Sequence, residues 1–175
     1  QSKLLTFYET ESDVKKQLET LQDIAQTHEG TNDYQAALTT YSQIIQLSKN
    51  DLKERIRAMN NIGCLHNKNQ NFLIAIEAFE EAEIANESIS TLDLTTLYCN
   101  LGIAHTNAGN SVKAIEYFNL AEKIAENNIQ KAKIAHLIAS TYLEEKDWYN
   151  AQQYNNQTID LAQQESQPEL LSLSY

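Results

Sequence analysis

Residues 100–118 read NLGIAHTNAGNSVKAIEYF and residues 61–79 read NIGCLHNKNQNFLIAIEAF. Both carry a large apolar residue followed by Gly (Leu101-Gly102, Ile62-Gly63), then His105 or His66, then Ala114-Ile115 or Ala75-Ile76, then Phe118 or Phe79. Two further segments keep the spacing with weaker identities. One holds Ile24-Ala25, His28, Tyr34, Ala37-Leu38 and Tyr41; the other holds Ile138-Ala139, Tyr142, Trp148, Ala151-Gln152 and Asn155. The small residues Ala25, Gly63, Gly102 and Ala139 stand 38, 39 and 37 residues apart. Self-similarity at a fixed period of this length is the mark of a solenoid, in which each unit buries its apolar face only against its neighbours.

The apolar residues on both sides of each small residue recur at helical spacing. A small residue in the first helix lets the aromatic of the second approach closely. Polar breaks at 29–33, 67–71, 107–110 and 144–147 divide each unit, with Asp33, Asn71, Asn110 and Asp147 as expected N-caps. Asp51 with Glu54 and Ser90 with Asp93 have the spacing of capping boxes. The expected helices are 13–29, 33–48, 51–67, 72–87, 91–107, 111–127, 129–145 and 148–165. They make four units, about 13–50, 51–90, 91–128 and 129–166. Residues 1–12 read as the tail of a preceding helix, with Leu4, Leu5 and Phe7 on the first unit. Residues 167–175 read as the start of another helix opened by Pro168.

The pattern resembles the tetratricopeptide repeat: Leu-Gly, an aromatic slot three residues later, then Ala and Phe. Leu101-Gly102 with Ala114 and Phe118 carries the resemblance best. The resemblance implies an all-α fold, a right-handed α-α superhelix of about four helix pairs. Three departures mark a long-unit variety: the longer period, His28, His66 and His105 where the family has Tyr, and no closing Pro between units. Units of this kind resemble those of kinesin light chains, Pins-type adaptors, and bacterial peptide-pheromone receptors and sensor regions.

Composition bounds the function. Of 175 residues 42% are hydrophobic and 21% charged, a globular balance. A formal net charge of −11 opposes direct nucleic-acid binding and anionic membrane surfaces, both of which need cationic contacts. No apolar run reaches the roughly 18–20 residues of a membrane helix. The chain has no initiating Met, which predicts an excerpt from a longer protein. Cys64 and Cys99 lack a pairing pattern and suit a reducing, cytoplasmic compartment. Asn and Gln number 17 and 15, enough to furnish a polar working surface.

In such a superhelix the first helix of each pair lines the concave wall. Helical spacing turns Glu19, Gln22, Asp23 and Gln26 inward in the first unit. In the second unit it turns Arg57, Asn60, Asn61, Cys64, Asn67 and Lys68 inward. In the third it selects Thr96, Cys99, Asn100, Ile103, Thr106 and Asn107, and in the fourth Lys133, His136, Leu137 and Ser140. Asn61 and Asn100 are the leading candidates for peptide contact, because an amide both donates and accepts and so matches a peptide bond whatever its side chain. Arg57, Lys68, Lys133 and His136 would then favour an acidic ligand.

Other constellations carry less. Equivalent histidines in successive units stand about one helix-packing distance apart, roughly 8–10 Å, too far to share one metal ion. Cys64 and His66 do not face each other on a helix. There is no phosphate-cradling Gly loop and no HExxH, so neither catalysis nor a cofactor is expected. Glu77, Glu80, Glu81, Glu83 and Glu87 read as a solvated outer face, and Trp148 and Phe72 as core. Leu170, Leu171 and Leu173 predict self-association through the C-terminal end. Two functions follow: a module whose concave groove holds a peptide or partner segment within a larger signalling or scaffolding protein, or a ligand-sensing domain controlling an attached DNA-binding or kinase domain.

Overall fold

The computed structural model describes the backbone of residues 2–85 and 91–164 and the side chains of residues 13–85 and 93–164. The described residues form helices alone: α1 (Ser2–Gly30), α2 (Tyr34–Leu47), α3 (Leu52–Lys68), α4 (Phe72–Ile84), α5 (Thr91–Asn107), α6 (Ser111–Ile124), α7 (Asn128–Glu144) and α8 (Trp148–Gln164). They pair as four antiparallel hairpins, α1 with α2 through α7 with α8, and each second helix also packs on the next first helix. Consecutive first helices touch as well, α3 with α5 and α5 with α7. This places α1, α3, α5 and α7 on the inside of a superhelix and α2, α4, α6 and α8 on the outside.

One turn geometry, used four times, sets the period within each unit. Asp33, Asn71, Asn110 and Asp147 donate their backbone N–H to the carbonyls of His28, His66, His105 and Tyr142. The preceding residue in each turn, Asn32, Gln70, Gly109 or Lys146, donates to the carbonyl three residues back and is left-handed, with φ between 57° and 75°. This is the Schellman closure, which satisfies the last carbonyls of the first helix. Only Gly109 adopts that conformation without a Cβ cost; the left-handed region costs other residues about 1 kcal/mol. Gln70→Gly and Lys146→Gly are therefore each expected to raise stability by up to about 1 kcal/mol in urea unfolding. A loss of stability in both would mean that these turns do not close this way.

The caps divide. Asp33 accepts from Ala36 N at 3.2 Å, Asp51 from Glu54 N at 3.1 Å and Asp147 from Asn150 N at 3.1 Å. Asn71 and Asn110, expected to cap, make no side-chain cap bond; their turns are held by the backbone closure alone. Helix α6 stops at Ile124, three residues short of expectation, because Ala125 is extended and Asn127 already caps α7 by accepting from Gln130 N. Helix α1 runs unbroken from Ser2, so residues 2–12 extend α1 rather than end a separate helix; no Gly or Pro interrupts them. The expected roles of Leu4, Leu5, Phe7, Glu87, Ser90, Pro168, Leu170, Leu171 and Leu173 lie outside the described side chains.

The core is a chain of clusters threaded between hairpins. Ile56, Ala75, Phe79, Leu97 and Leu101 form one, and Ala114, Phe118, Ile134 and Ile138 the next. Phe79 lies on Gly63 and Phe118 on Gly102, each ring standing where a Cβ would be. Trp148 departs from expectation: it is 66% exposed rather than core. In the first unit the same slot, Tyr34, is covered by His66 of the following first helix, whereas no described helix follows α8.

Candidate functional site: the inner wall

Arg57, Asn60, Asn61 and Thr96 line a cleft of about 320 Å³ between α1, α3 and α5, together with Gln22, Gln26, Glu54 and Asp93. The α3 side chains project there because they fall between the two buried edges of the helix, Ile56 and Gly63 on one side and Ala58 and Leu65 on the other.

The asparagines form cross-repeat pairs. Asn100 Nδ2 donates to Asn60 Oδ1 at 2.9 Å and approaches Cys64 Sγ at 3.4 Å. Asn107 Nδ2 donates to Asn67 Oδ1 at 3.0 Å. Both pairs join α3 to α5, and they lie seven residues apart on each helix, about 10 Å along it. Each pair uses one donor and one acceptor, which leaves the Asn60 and Asn67 amide N–H groups and the Asn100 and Asn107 carbonyls for a ligand. Asn61 takes another place, its amide against the Tyr41 hydroxyl. That hydroxyl also donates to Glu29, and burial and Glu29 together push its pKa upward.

The cations differ from the sequence expectation. Arg57 Nη1 pairs with Glu54 at 3.2 Å and Nη2 with Asp93 at 3.4 Å, so its charge is already answered by two carboxylates. Glu54 also accepts from Gln22 Nε2, and Lys53 stands 4.0 Å from Asp93, so a polar staple runs from α1 through α3 to α5. Lys68 pairs with Glu29 at 3.3 Å. Lys133 is exposed and has no ion pair among the described residues; His136 is half-buried with Nδ1 buried and unpartnered. The carboxylates Glu29, Glu54 and Asp93 were missed by sequence reasoning. One signal was available, since Glu29 and Lys68 have opposite charge and stand 39 residues apart, one repeat.

Of three inward candidates, one is buried and two are half-buried. Ile103 packs on the Phe118 and Ile138 cluster, as does Cys99. Thr106 is buried and its hydroxyl lies 2.9 Å from that of Thr141 on α7. The α5 helix is squeezed between α3, α4, α6 and α7, so more of its circumference is covered than an amphipathic reading allows. The thiols of Cys64 and Cys99 are both pushed up to about 11 by burial, which holds them as unreactive thiols near neutral pH.

The repeating histidines pack against tyrosines. His66 Nδ1 lies 2.6 Å from the Tyr34 hydroxyl. His105 is buried and stacked on Tyr117, with centroids 5.5 Å apart and rings 9° from parallel. Among the described residues no three His, Cys, Asp or Glu side chains gather as a metal site would require.

The tetratricopeptide repeat model matches residues 18–51 and 95–128, which are the first and third hairpins. The fold is a tetratricopeptide-repeat solenoid. The second and fourth hairpins keep the same turn hydrogen bonds and the same pairing of helices. Solved structures agree. A putative kinesin light chain from Podospora anserina with nearly identical TPR-like repeats superposes with a TM-score of 0.65 at 15% identity, over 93% of this chain and 93% of that one. MamA from Desulfovibrio magneticus RS-1 gives 0.66 at 18% identity, over 84% and 76%. Pseudomonas aeruginosa pilF gives 0.61 at 16%, over 98% and 86%. At these identities the likeness is one of fold. No curated protein matches the chain in sequence. Tetratricopeptide solenoids are generally protein–protein interaction modules, and no described helix is long and apolar enough to cross a membrane.

Proposed function

We propose that this tetratricopeptide solenoid holds an extended segment of a partner protein along the seam between α3 and α5. The observation that carries the reading is the pair of amide bridges, Asn60 with Asn100 and Asn67 with Asn107. Each offers one N–H and one C=O side by side, the complement of a peptide group. Their separation of about 10 Å matches about three residues of extended chain. Because Arg57 and Lys68 are already paired with carboxylates, they set repeat-to-repeat geometry, and in this stretch side-chain amides recognise the ligand's backbone, with no attraction of an acidic ligand required. Lys133 and His136 on α7 remain as groups that read side chains at the far end.

The test begins with peptides selected from a random library on the native protein, titrated by calorimetry. Asn60→Ala/Asn100→Ala is expected to weaken binding about 10- to 30-fold, the loss of one or two hydrogen bonds. The same affinity in a double variant with unchanged circular dichroism would remove the seam from the binding site.

A further inference from the structure

The outer surface carries an apolar row that the inner-wall reading leaves unused. Leu73, Val112 and Tyr149 are the second residues of α4, α6 and α8 and are 72%, 72% and 71% exposed. They are repeat-equivalent, 39 and 37 residues apart. Ile74 and Trp148 widen the row at 48% and 66% exposure. Isolated exposed apolar side chains are ordinary on any protein. Here five of the eleven large ones among the described residues sit in the first turn of successive second helices, so the repeat itself aligns them.

The charges beside the row indicate what covers it. One turn along the same helices stand Glu77 and Glu116, both exposed. Helix α4 holds four carboxylates, Glu77, Glu80, Glu81 and Glu83, and no basic residue. In the first two turns of α4, α6 and α8, Lys113 is the only cation. A second copy meeting this face would bring acidic row against acidic row, on a chain of net charge −11. An anionic lipid surface meets the same repulsion.

We propose that the outer row is a second docking surface, taking an amphipathic segment of another protein whose apolar side chains are flanked by Lys or Arg. Apolar contact supplies the affinity and the Glu77 and Glu116 carboxylates supply orientation and selectivity. The solenoid then bridges two partners, one on each face. The outer assignment does not depend on the inner one.

The probe is a fluorescein-labelled helical peptide of about 18 residues, with Leu at helical spacing along one face and Lys beside it, and a counterpart with Glu for Lys. Anisotropy is read with the native protein, Leu73→Ser/Val112→Ser/Tyr149→Ser, Glu77→Gln/Glu116→Gln, and Asn60→Ala/Asn100→Ala. The expected pattern is at least about tenfold weaker binding of the Lys peptide by the triple variant. The charge variant loses about threefold, with a reduced salt dependence. The inner-wall variant is unchanged, and the Glu peptide does not bind the native protein. The triple variant keeps its thermal midpoint, since the three side chains are exposed. Equal binding by native protein and triple variant overturns the proposal, as does equal binding of the Glu peptide. Light scattering that shows a native dimer and a monomeric triple variant makes a second copy the occupant and overturns it too.

Discussion

Gly102→Ala is expected to destabilise the solenoid by about 1–3 kcal/mol, although alanine is the better helix former. An added Cβ would stand 2.3 Å from Phe118 Cε1 and 2.6 Å from Cδ1. The ring cannot swing aside, because Phe118 is 1% exposed and packed among Ala114, Ile134 and Ile138. Either α5 and α6 separate, opening voids along their contact, or the ring leaves its rotamer. For a chain of this size each kcal/mol moves the thermal midpoint by about 2–4 °C. Phe118→Leu in the same chain is expected to recover part of the loss, so the two changes are non-additive. Gly63→Ala against Phe79, where the Cβ would meet the ring at 2.5 Å, should behave alike. Wild-type midpoints in both single variants would show that the glycines are not contact points between helices.

The second large effect concerns acid. His105 is 3% exposed, neither ring nitrogen has a hydrogen-bond partner, and burial lowers its pKa from 6.5. Lys113 lowers it further, while Glu80 and Glu116 oppose the shift more weakly. Burial lowers His66 and His136 in the same direction. A histidine whose folded pKa lies below its unfolded value binds fewer protons when folded. Its contribution to stability is present above the unfolded pKa of 6.5 and is lost as pH falls from there toward the folded value. Unfolding free energy from urea titrations is thus expected to be level above about pH 7.5 and to fall steadily from about pH 6.5 downward, before most carboxylates titrate. His105→Phe, which keeps a ring stacked on Tyr117, should flatten that slope. An equal slope in the variant would place the acid sensitivity elsewhere.

The two effects come from the same repeated frame and were not equally legible. The Gly–Phe contact could be read directly from LGIAHTN and AIEYF, because a small residue and an aromatic at fixed spacing have one economical use in paired helices. The histidines could be located but not explained. That His105 lacks a partner while His66 has one depends on what stands opposite: Tyr117 presents its ring face, and Tyr34 presents its hydroxyl. The candidate site divides similarly. Asn60, Asn67, Asn100 and Asn107 were placed on the inner wall by helical phase, and they are found there. Their pairing was not visible, because Asn100 meets Asn60 at a separation of 40 residues, one position off the repeat-equivalent Asn61. Arg57 and Lys68 read as ligand-binding cations because sequence shows charges without their neighbours; in the fold Glu54, Asp93 and Glu29 have already met them.

Local pattern was enough to give the four-hairpin solenoid, the helix boundaries to within a few residues except the start of α1, and the wall on which the amides stand. Periodicity, small residues and turn chemistry are local properties, repeated often enough here to reinforce one another. Packing between hairpins settled which polar groups satisfy one another across repeats, why Thr106 is buried and Ile103 half-buried, and how far Leu73, Val112 and Tyr149 stay in solvent. Those outcomes depend on the small offset and rotation between neighbouring hairpins. That geometry arises from packing between residues nearly forty positions apart, and no single helix encodes it.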